Sequence, residues 1–530
     1  MQGNGCPIVR NILSDFNTIV EEYNDKSFKF FMINSNTQDS RNLIKKESGD
    51  FKFQVPVLSD QNQLIADILD ITITSEVLIL HPTTREILYR GPVNNRLDYG
   101  SQVSHPTETY LRDALEAILI DNVPVSKLNK TRGCKVTRRS SLEKDTLSYT
   151  KDIALILKDQ CIRCHTEGGV APWAMTDYNT VKGWSAMIEQ VLISQRMPPW
   201  KADPEIGSFK NSFALSDQKR RKIIRWIRDG MQYGEGKDPL TILDKNAIKT
   251  SFNNRVPDTI ITLKKEIIPA TGILEYRHQK INLDLPEGKW LSGVSLVPGK
   301  PQVTHHVTLA SSNKPKLVVD RPERPWIDNL IAVVASGTSK TTLFPENSGI
   351  YLDPDTELIV QTHYTTIGVE EEDTSQIELY YSNEKPEKEF FSLGVFTADF
   401  EIEAYKKFTP AFASDTLNQD INVHSVFPHM HFRGKQMKIT ATLPDKSVID
   451  IISVPDFDFN WQLVYYLEQP LFLPKGTIIS AKGHFDNSYQ NPLNVDPTKE
   501  VTFGYQSSDE MFMGLINYTL SDKIIVKDSL

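Results

Sequence analysis

Leu358-Ile359-Val360-Gln361-Thr362-His363-Tyr364 is a run of strand length, bounded by residues that break helices. Ile377-Glu378-Leu379-Tyr380, Lys438-Ile439-Thr440-Ala441 and Val501-Thr502-Phe503-Gly504 are further short strands of the same half. Pro and Gly punctuate them at roughly 10 to 15 residue spacing, which is the pattern of an antiparallel β-sandwich. Helical periodicity is absent beyond Val256. About 270 residues are too many for one such core, so two sandwiches are expected. Their bounds are 256–392 and 393–530.

The preceding part reads differently. Cys161-Ile162-Arg163-Cys164-His165 is a CxxCH pentapeptide, the attachment pattern for a covalent c-type haem. Two thiols three positions apart reach the two vinyl groups of one porphyrin edge, and the adjacent imidazole is delivered to iron. A zinc half-site or a dithiol pair is the alternative, opposed by the lack of a second Cys pair or an HxxxH nearby. A helix is expected over roughly Thr180 to Gln195. Ser216 is the expected N-cap of another, with Ile223, Ile224, Trp226, Ile227 and Met231 on its inner side. The haem domain is bounded at 149–235, after a polar, basic linker from Thr137 to Ser148.

Residues 1–136 alternate helix and strand: a helix from Val9 to Tyr23, strands Phe28–Ile33, Val77–Leu80 and Ile87–Tyr89, and a helix from Thr107 to Ile118. Gly5-Cys6-Pro7, Pro56-Val57-Leu58-Ser59-Asp60, Tyr89-Arg90-Gly91 and Gly133-Cys134 resemble a thioredoxin-like redoxin domain of the peroxiredoxin superfamily. That resemblance implies that the first strand of the fold is missing. Cys6 and Cys134 form a possible thiol site, with a disulfide between them if the two meet. Val9 excludes a CxxC, Gly3 stands where a Thr is usual, and Ser75 replaces the usual cis-Pro, so a degenerate structural domain is the preferred reading. The stretch 149–235 resembles a small cytochrome c-like domain of the planctomycete type. The similarity of Arg196-Met197-Pro198-Pro199-Trp200 implies Met197 as the sixth iron ligand, with Met175 or water as alternatives.

Eight of the 11 histidines follow residue 270. His429 and His431 occupy i and i+2 of one strand, so both imidazoles face one side and can converge on one metal. His305-His306 can do so only where a strand bends or ends. His363 offers a third imidazole from another strand. The order HH, H, HxH and a late Met resembles the copper type II, ascorbate-dependent monooxygenases, the family of peptidylglycine hydroxylating and dopamine beta-monooxygenases. The match extends through Pro428–Gly434, Phe457–Gln462, Leu473–Gly476, Phe485–Ser488 and Ser508-Asp509-Glu510-Met511. It implies one copper on His305, His306 and His363 and a second on His429, His431 and Met511, with Met513 or water as alternatives to Met511. The soft thioether suits Cu(I), which places oxygen chemistry at the second copper. The family's carboxylate-clamping Arg, Asn and Tyr are replaced here by Phe427, Met513 and Leu515, so a peptide C-terminus is not the expected substrate.

The expected fold class is therefore a multidomain α/β, all-α and all-β chain: thioredoxin-like domain, cytochrome c-like helical domain and two jelly-roll-like antiparallel β-sandwiches. The expected function is a copper-dependent monooxygenase that hydroxylates a C–H bond of a small apolar or aromatic molecule with dioxygen. Its cofactors are two coppers and a covalent haem c, with ascorbate or another reductant as electron source; electrons pass from the haem to the three-histidine copper. A redox-sensor or electron-transfer protein without oxygenase activity is the alternative, and a thiol peroxidase ranks last. A net charge of −9 argues against nucleic-acid partners, and no apolar run approaches the roughly 18 residues of a membrane span. Met1–Cys6 has no signal-peptide character. Haem attachment occurs outside the cytoplasm, so a periplasmic or other extracytoplasmic location is expected, with the natural N-terminus upstream of Met1.

Overall fold

The computed structural model describes residues 1–521 except 27, 99–100, 104, 122–130, 138–145, 243–254, 314–316, 323, 325 and 336–340. Most of the linker expected over 137–148 therefore lies outside the described residues. Contacts divide the chain into two compact units: Met1–Ser148 with Ser216–Gly230, and Tyr149–Leu215 with Met231–Leu530. Helices and antiparallel sheets are both present, and no described helix is long and apolar enough to cross a membrane.

In the first unit the helix Pro7–Tyr23 begins at Cys6, with Pro7 at its first position, where the missing N–H costs nothing. Its buried face (Ile12, Leu13, Phe16, Ile19, Val20, Tyr23) packs with Met32, Tyr89, Leu111, Ala114 and Leu115. The strand expected from Phe28 is shorter, Met32–Asn34, because its parallel partner Val57–Ser59 offers only three residues. The helix expected from Thr107 starts at Tyr110. The amides of Thr107 and Glu108 are instead held by the Asn95 side chain. Helix Asp217–Arg228 is capped by Ser216, which accepts from the Lys219 amide. It belongs by its contacts to this unit, through Asn62–Asp217 (2.9 Å) and Arg221–Asp67 (3.4 Å).

The second unit is built on a nine-stranded sheet. Its order is Tyr465–Leu473, Ile421–Met430, Phe512–Leu520, Lys388–Thr397, Ser348–Leu352, Lys289–Val297, Gln376–Ser382 and Thr259–Thr262, with Thr341–Leu343 also on Lys289–Val297. Two four-stranded sheets accompany it: Leu330–Ala335, Thr304–Ser311, Glu357–Tyr364 and Arg277–Asn282, and then Thr409–Thr416, Ile478–Phe485, Gly434–Thr442 and Val448–Val454. Separate apolar cores lie around Leu291, Leu309, Val360 and Leu379, and around Val426, Ile439, Ala481 and Ile516. Each core draws its residues from the long sheet and from one of the short ones, so the unit is two sandwiches sharing a sheet.

The haem-motif segment precedes them. Helix Ala154–Gln160 runs into Cys161. The single helix expected over 180–195 is two, Tyr178–Gly183 and Ser185–Ile193. Gly183, a weak helix former, and Trp184 (φ −92°, ψ 5°) make the joint. Asp177 caps the first by accepting from the Thr180 amide at 2.9 Å. The residues after Trp200 do not form a separate layer. Phe209 bridges Leu467, Asp203 N–H bonds the Ser453 carbonyl at 2.8 Å, and Phe209 and Phe213 join the core of the second sandwich.

Candidate functional site

The strand Thr304–Ser311 pairs with Glu357–Tyr364, placing His306 opposite His363. The register shifts between Thr304 and His306. This irregularity lets two successive side chains reach one side, which regular alternation forbids. The Nδ1 atoms of His305 and His306 are 3.0 Å apart, and those of His305 and His363 are 3.2 Å apart. Such spacings suit nitrogens sharing one ion at metal–imidazole bonds of about 2.0–2.1 Å. All three residues are buried. Burial holds His305 down to about 4 and His363 down to about 2, with the charge of His305 adding to the latter. His306 is also held well below the usual range, by burial first and His363 second. Three neutral imidazoles around one point form a ligand set.

The second set lies where Ile421–Met430 ends. Its antiparallel register against Phe512–Leu520 sets His429 opposite Met513 and Phe427 opposite Leu515. The ladder ends at Met430 opposite Phe512, and His431 and Met511 are the next residues beyond its end on the two strands. Period-2 alternation then puts Phe427, His429, His431, Met511, Met513 and Leu515 on one face. The His429 Nδ1–H donates to Gln462 Oε1 at 2.5 Å, and His431 Nδ1–H donates to the Asp509 carbonyl at 3.2 Å. Those acceptors fix the proton on Nδ1, leaving each Nε2 with its lone pair. Nε2 of His431 is buried without a hydrogen-bond partner among the described residues, an arrangement that a bound metal would satisfy. Burial lowers His429 to about 4 and holds His431 well below its ordinary value.

The loop carrying Met511 is tied from below. The fully buried Glu510 carboxylate accepts from the amides of His431 (2.9 Å), Arg433 (2.5 Å) and Met511 (3.3 Å). Burial pushes Glu510 up to about 8 against those bonds. The Arg433 side chain, equally buried, donates to Asn487 Oδ1 and to the carbonyls of Ser508 and Asp496. Glu510 belongs to the sequence element that carries Met511, whereas nothing in the sequence singles out the role of Arg433.

Two aromatic rings that periodicity does not identify stand between the sets. Tyr276 lies 4.9 Å from His363, 5.6 Å from His306 and 5.8 Å from His431, ring centre to ring centre. Phe459 lies 5.4 Å from His363, 5.7 Å from His305 and 6.0 Å from His431. Four imidazoles thus touch a common aromatic partition, and His429 joins them through His431, 5.1 Å away ring centre to ring centre. Beside it, Phe427, Met511, Met513 and Leu515 pack with Ala310, Ile327, Leu330 and Val333. At its edge the Arg324 guanidinium carbon lies 5.0 Å from the centre of the Phe396 ring, which packs on the same cluster.

At the CxxCH motif the amides of Cys164 and His165 both turn back to the Cys161 carbonyl (3.2 and 3.1 Å). The His165 Nδ1–H donates to the Trp173 carbonyl at 3.0 Å, so its Nε2 is the nitrogen available to an iron. Burial pushes the Cys161 and Cys164 thiols up to about 12 and 11. These residues fit a covalent haem. Met175 is tied to the motif through its amide on the His165 carbonyl (2.9 Å), whereas the Met197 amide bonds Val191 (3.3 Å). His278, His424 and His484 pair with Gln361 (3.1 Å), Thr519 (3.0 Å) and the ring of Phe408 (4.6 Å).

In the first unit Cys6 Sγ lies 2.6 Å from Cys134 Sγ and 3.1 Å from Thr74 Oγ1. The hydroxyl missing at Gly3 is therefore supplied from Thr74. A Cβ on Gly3 would meet Thr74 Cγ2 at 2.7 Å, which explains the glycine. Burial raises the Cys6 thiol, but hydrogen bonds from Cys134 and Thr74 outweigh it and leave Cys6 below its ordinary value; burial pushes Cys134 up to about 11.

No protein-family model matches the chain, and no curated protein matches it. Among solved structures it is similar over short stretches to an uncharacterized conserved protein from Geobacillus kaustophilus. That match has 26% identity, 26% of this chain, 73% of that one and a TM-score of 0.22. A hypothetical protein from Sinorhizobium meliloti 1021 is similar at 21% identity over 25% of this chain and 74% of that one, with a TM-score of 0.23.

Proposed function

We propose that the chain is a two-copper monooxygenase of the ascorbate-dependent type, fused to a cytochrome c-like segment and a redoxin-like unit, that hydroxylates a small apolar molecule. The observation that carries this is the gathering of His305, His306 and His363 within reach of one ion, with His431 across the same aromatic rings and His429 beside it, next to the strand that carries Met513. When bound, copper supplies one-electron chemistry toward dioxygen. His305, His306 and His363 offer only nitrogen, a set suited to a metal that cycles between two oxidation states. His429, His431 and Met511 offer two nitrogens and a soft sulfur. Gln462 and the Asp509 carbonyl hold the two imidazoles in the metal-ready tautomer. Phe427, Leu515, Ile327 and Val333 exclude water beside that set and favour an apolar substrate. The approach of Cys6 to Cys134 beside Thr74 supports a working thiol pair in the redoxin-like unit.

The test uses the full chain made with a haem-attachment system, loaded with copper, reduced, and given a panel of small apolar and aromatic compounds under oxygen. One hydroxylated product per dioxygen consumed is expected for at least one compound. Haem reduction without copper-dependent oxygen uptake would instead establish an electron-transfer protein.

A further inference from the structure

We infer that electrons from a haem at Cys161, Cys164 and His165 enter the sandwiches through Trp200 and Tyr465 and arrive first at the His429/His431/Met511 set, rather than at the three-histidine set. This rests on the haem and copper reading above and adds its internal route.

Arg163 lies between the two haem-attaching cysteines, and its guanidinium carbon sits 4.8 Å from the centre of the Phe213 ring. Phe213 meets Trp200 at 5.1 Å, and Trp200 meets Tyr465 at 4.8 Å, both edge to face. Phe209 closes the cluster at 5.3 Å from Tyr465 and 6.0 Å from Trp200. Phe213, Phe209 and Tyr465 belong to one buried core with Trp200 packed on it, and Arg163 meets that core from its exposed edge.

The arm that carries Trp200 is fastened to the sandwich at several points. Asn211 Nδ2 donates to the Val464 carbonyl (2.8 Å), and its Oδ1 accepts from the Tyr466 amide (3.0 Å). Lys201 pairs with Asp456 (3.2 Å), and the Glu468 amide bonds the Ser208 carbonyl (2.8 Å). These contacts fix Trp200 and the arm that carries it against the strand beginning at Tyr465.

Beyond Tyr465 the connections lead to His429. Tyr465 is the ladder partner of Val426 in the strand that ends at the His429 pair. Three residues before Tyr465, Gln462 holds the His429 imidazole directly. The three-histidine set lies one ring further on, beyond Phe459 and Tyr276, which touch both it and His431; Gln462, which holds His429, donates from Nε2 to the Phe459 carbonyl at 3.2 Å. In the transfer, ferrous haem iron loses one electron and one cupric ion gains it; no proton moves and no bond forms or breaks.

The test follows re-oxidation of flash-reduced haem in the haem- and copper-loaded full chain without oxygen, so that no turnover contributes. The parent is expected to show a fast phase that vanishes when copper is omitted. Loss of that phase in His429→Ala with its retention in His363→Ala supports the route, as does its slowing in Trp200→Leu at an unchanged haem potential. Trp200→Phe, which keeps a ring, is expected to preserve it. Should Trp200→Leu not fold, Phe213→Leu makes the same test one ring earlier. A phase kept in His429→Ala and lost in His363→Ala overturns the route, as does Trp200→Leu or Phe213→Leu at the parental rate. A parent without any copper-dependent phase overturns the coupling of haem to copper itself, and the route with it.

Discussion

Met511→Ile is expected to abolish product formation while the haem is reduced as before. Isoleucine nearly conserves volume in a site that is 1% exposed, so repacking costs less than about 1.5 kcal/mol. A β-branched residue also suits the extended backbone leading into Phe512–Leu520. What disappears is the soft donor that stands, like His431, just beyond the end of the ladder. Turnover should fall by more than the roughly 10–100-fold that loss of a mere supporting partner costs a metal site. Product analysis and the haem spectrum, measured on one preparation, separate the two effects. Met513→Ile serves as the comparison, because Met513 faces His429 from the neighbouring position. Unchanged product formation in Met511→Ile, with loss in Met513→Ile, would transfer the ligand role to Met513.

The second large effect is structural. Glu510→Ala removes the acceptor shared by the amides of His431, Arg433 and Met511, all in the buried floor of the second set. Each buried donor left unmet costs about 1–3 kcal/mol. The β unit should melt several degrees lower, at roughly 2–4 °C per kcal/mol. Copper should also bind more weakly at His431, since its backbone is no longer held. Calorimetry with and without copper checks both. A melting transition equal to the parent's would show that water replaces the carboxylate without loss, and that Glu510 does not hold the site together.

Much of this arrangement was legible in the chain, and the reasons are local. Strands around Val360, Leu379 and Ile439 follow from short apolar runs and turn residues, and His429 and His431 share a face because strand alternation has period two. The capping of helix Asp217–Arg228 by Ser216 was equally readable. The convergence of His305 and His306 was not, because it depends on a register irregularity set by the pairing with Glu357–Tyr364. Tyr276 and Phe459 come from distant parts of the chain and meet the imidazoles only once both sandwiches are closed. The same holds for Trp200 against Tyr465 and for Cys6 against Cys134, contacts between residues 265 and 128 positions apart, respectively. Long-range pairing of this sort leaves no periodic trace. The break between Tyr178–Gly183 and Ser185–Ile193 is different: Gly183 announced it, and the surrounding apolar spacing masked it.

Anaerobic copper titration of the haem-loaded full chain tests the two ligand sets most directly. Two tight equivalents per chain are expected, falling to one in His363→Ala and to one in His431→Ala, with the haem spectrum unchanged in both. A parent that binds no copper tightly, or variants that still bind two equivalents, would contradict the assignment of these imidazoles to metal.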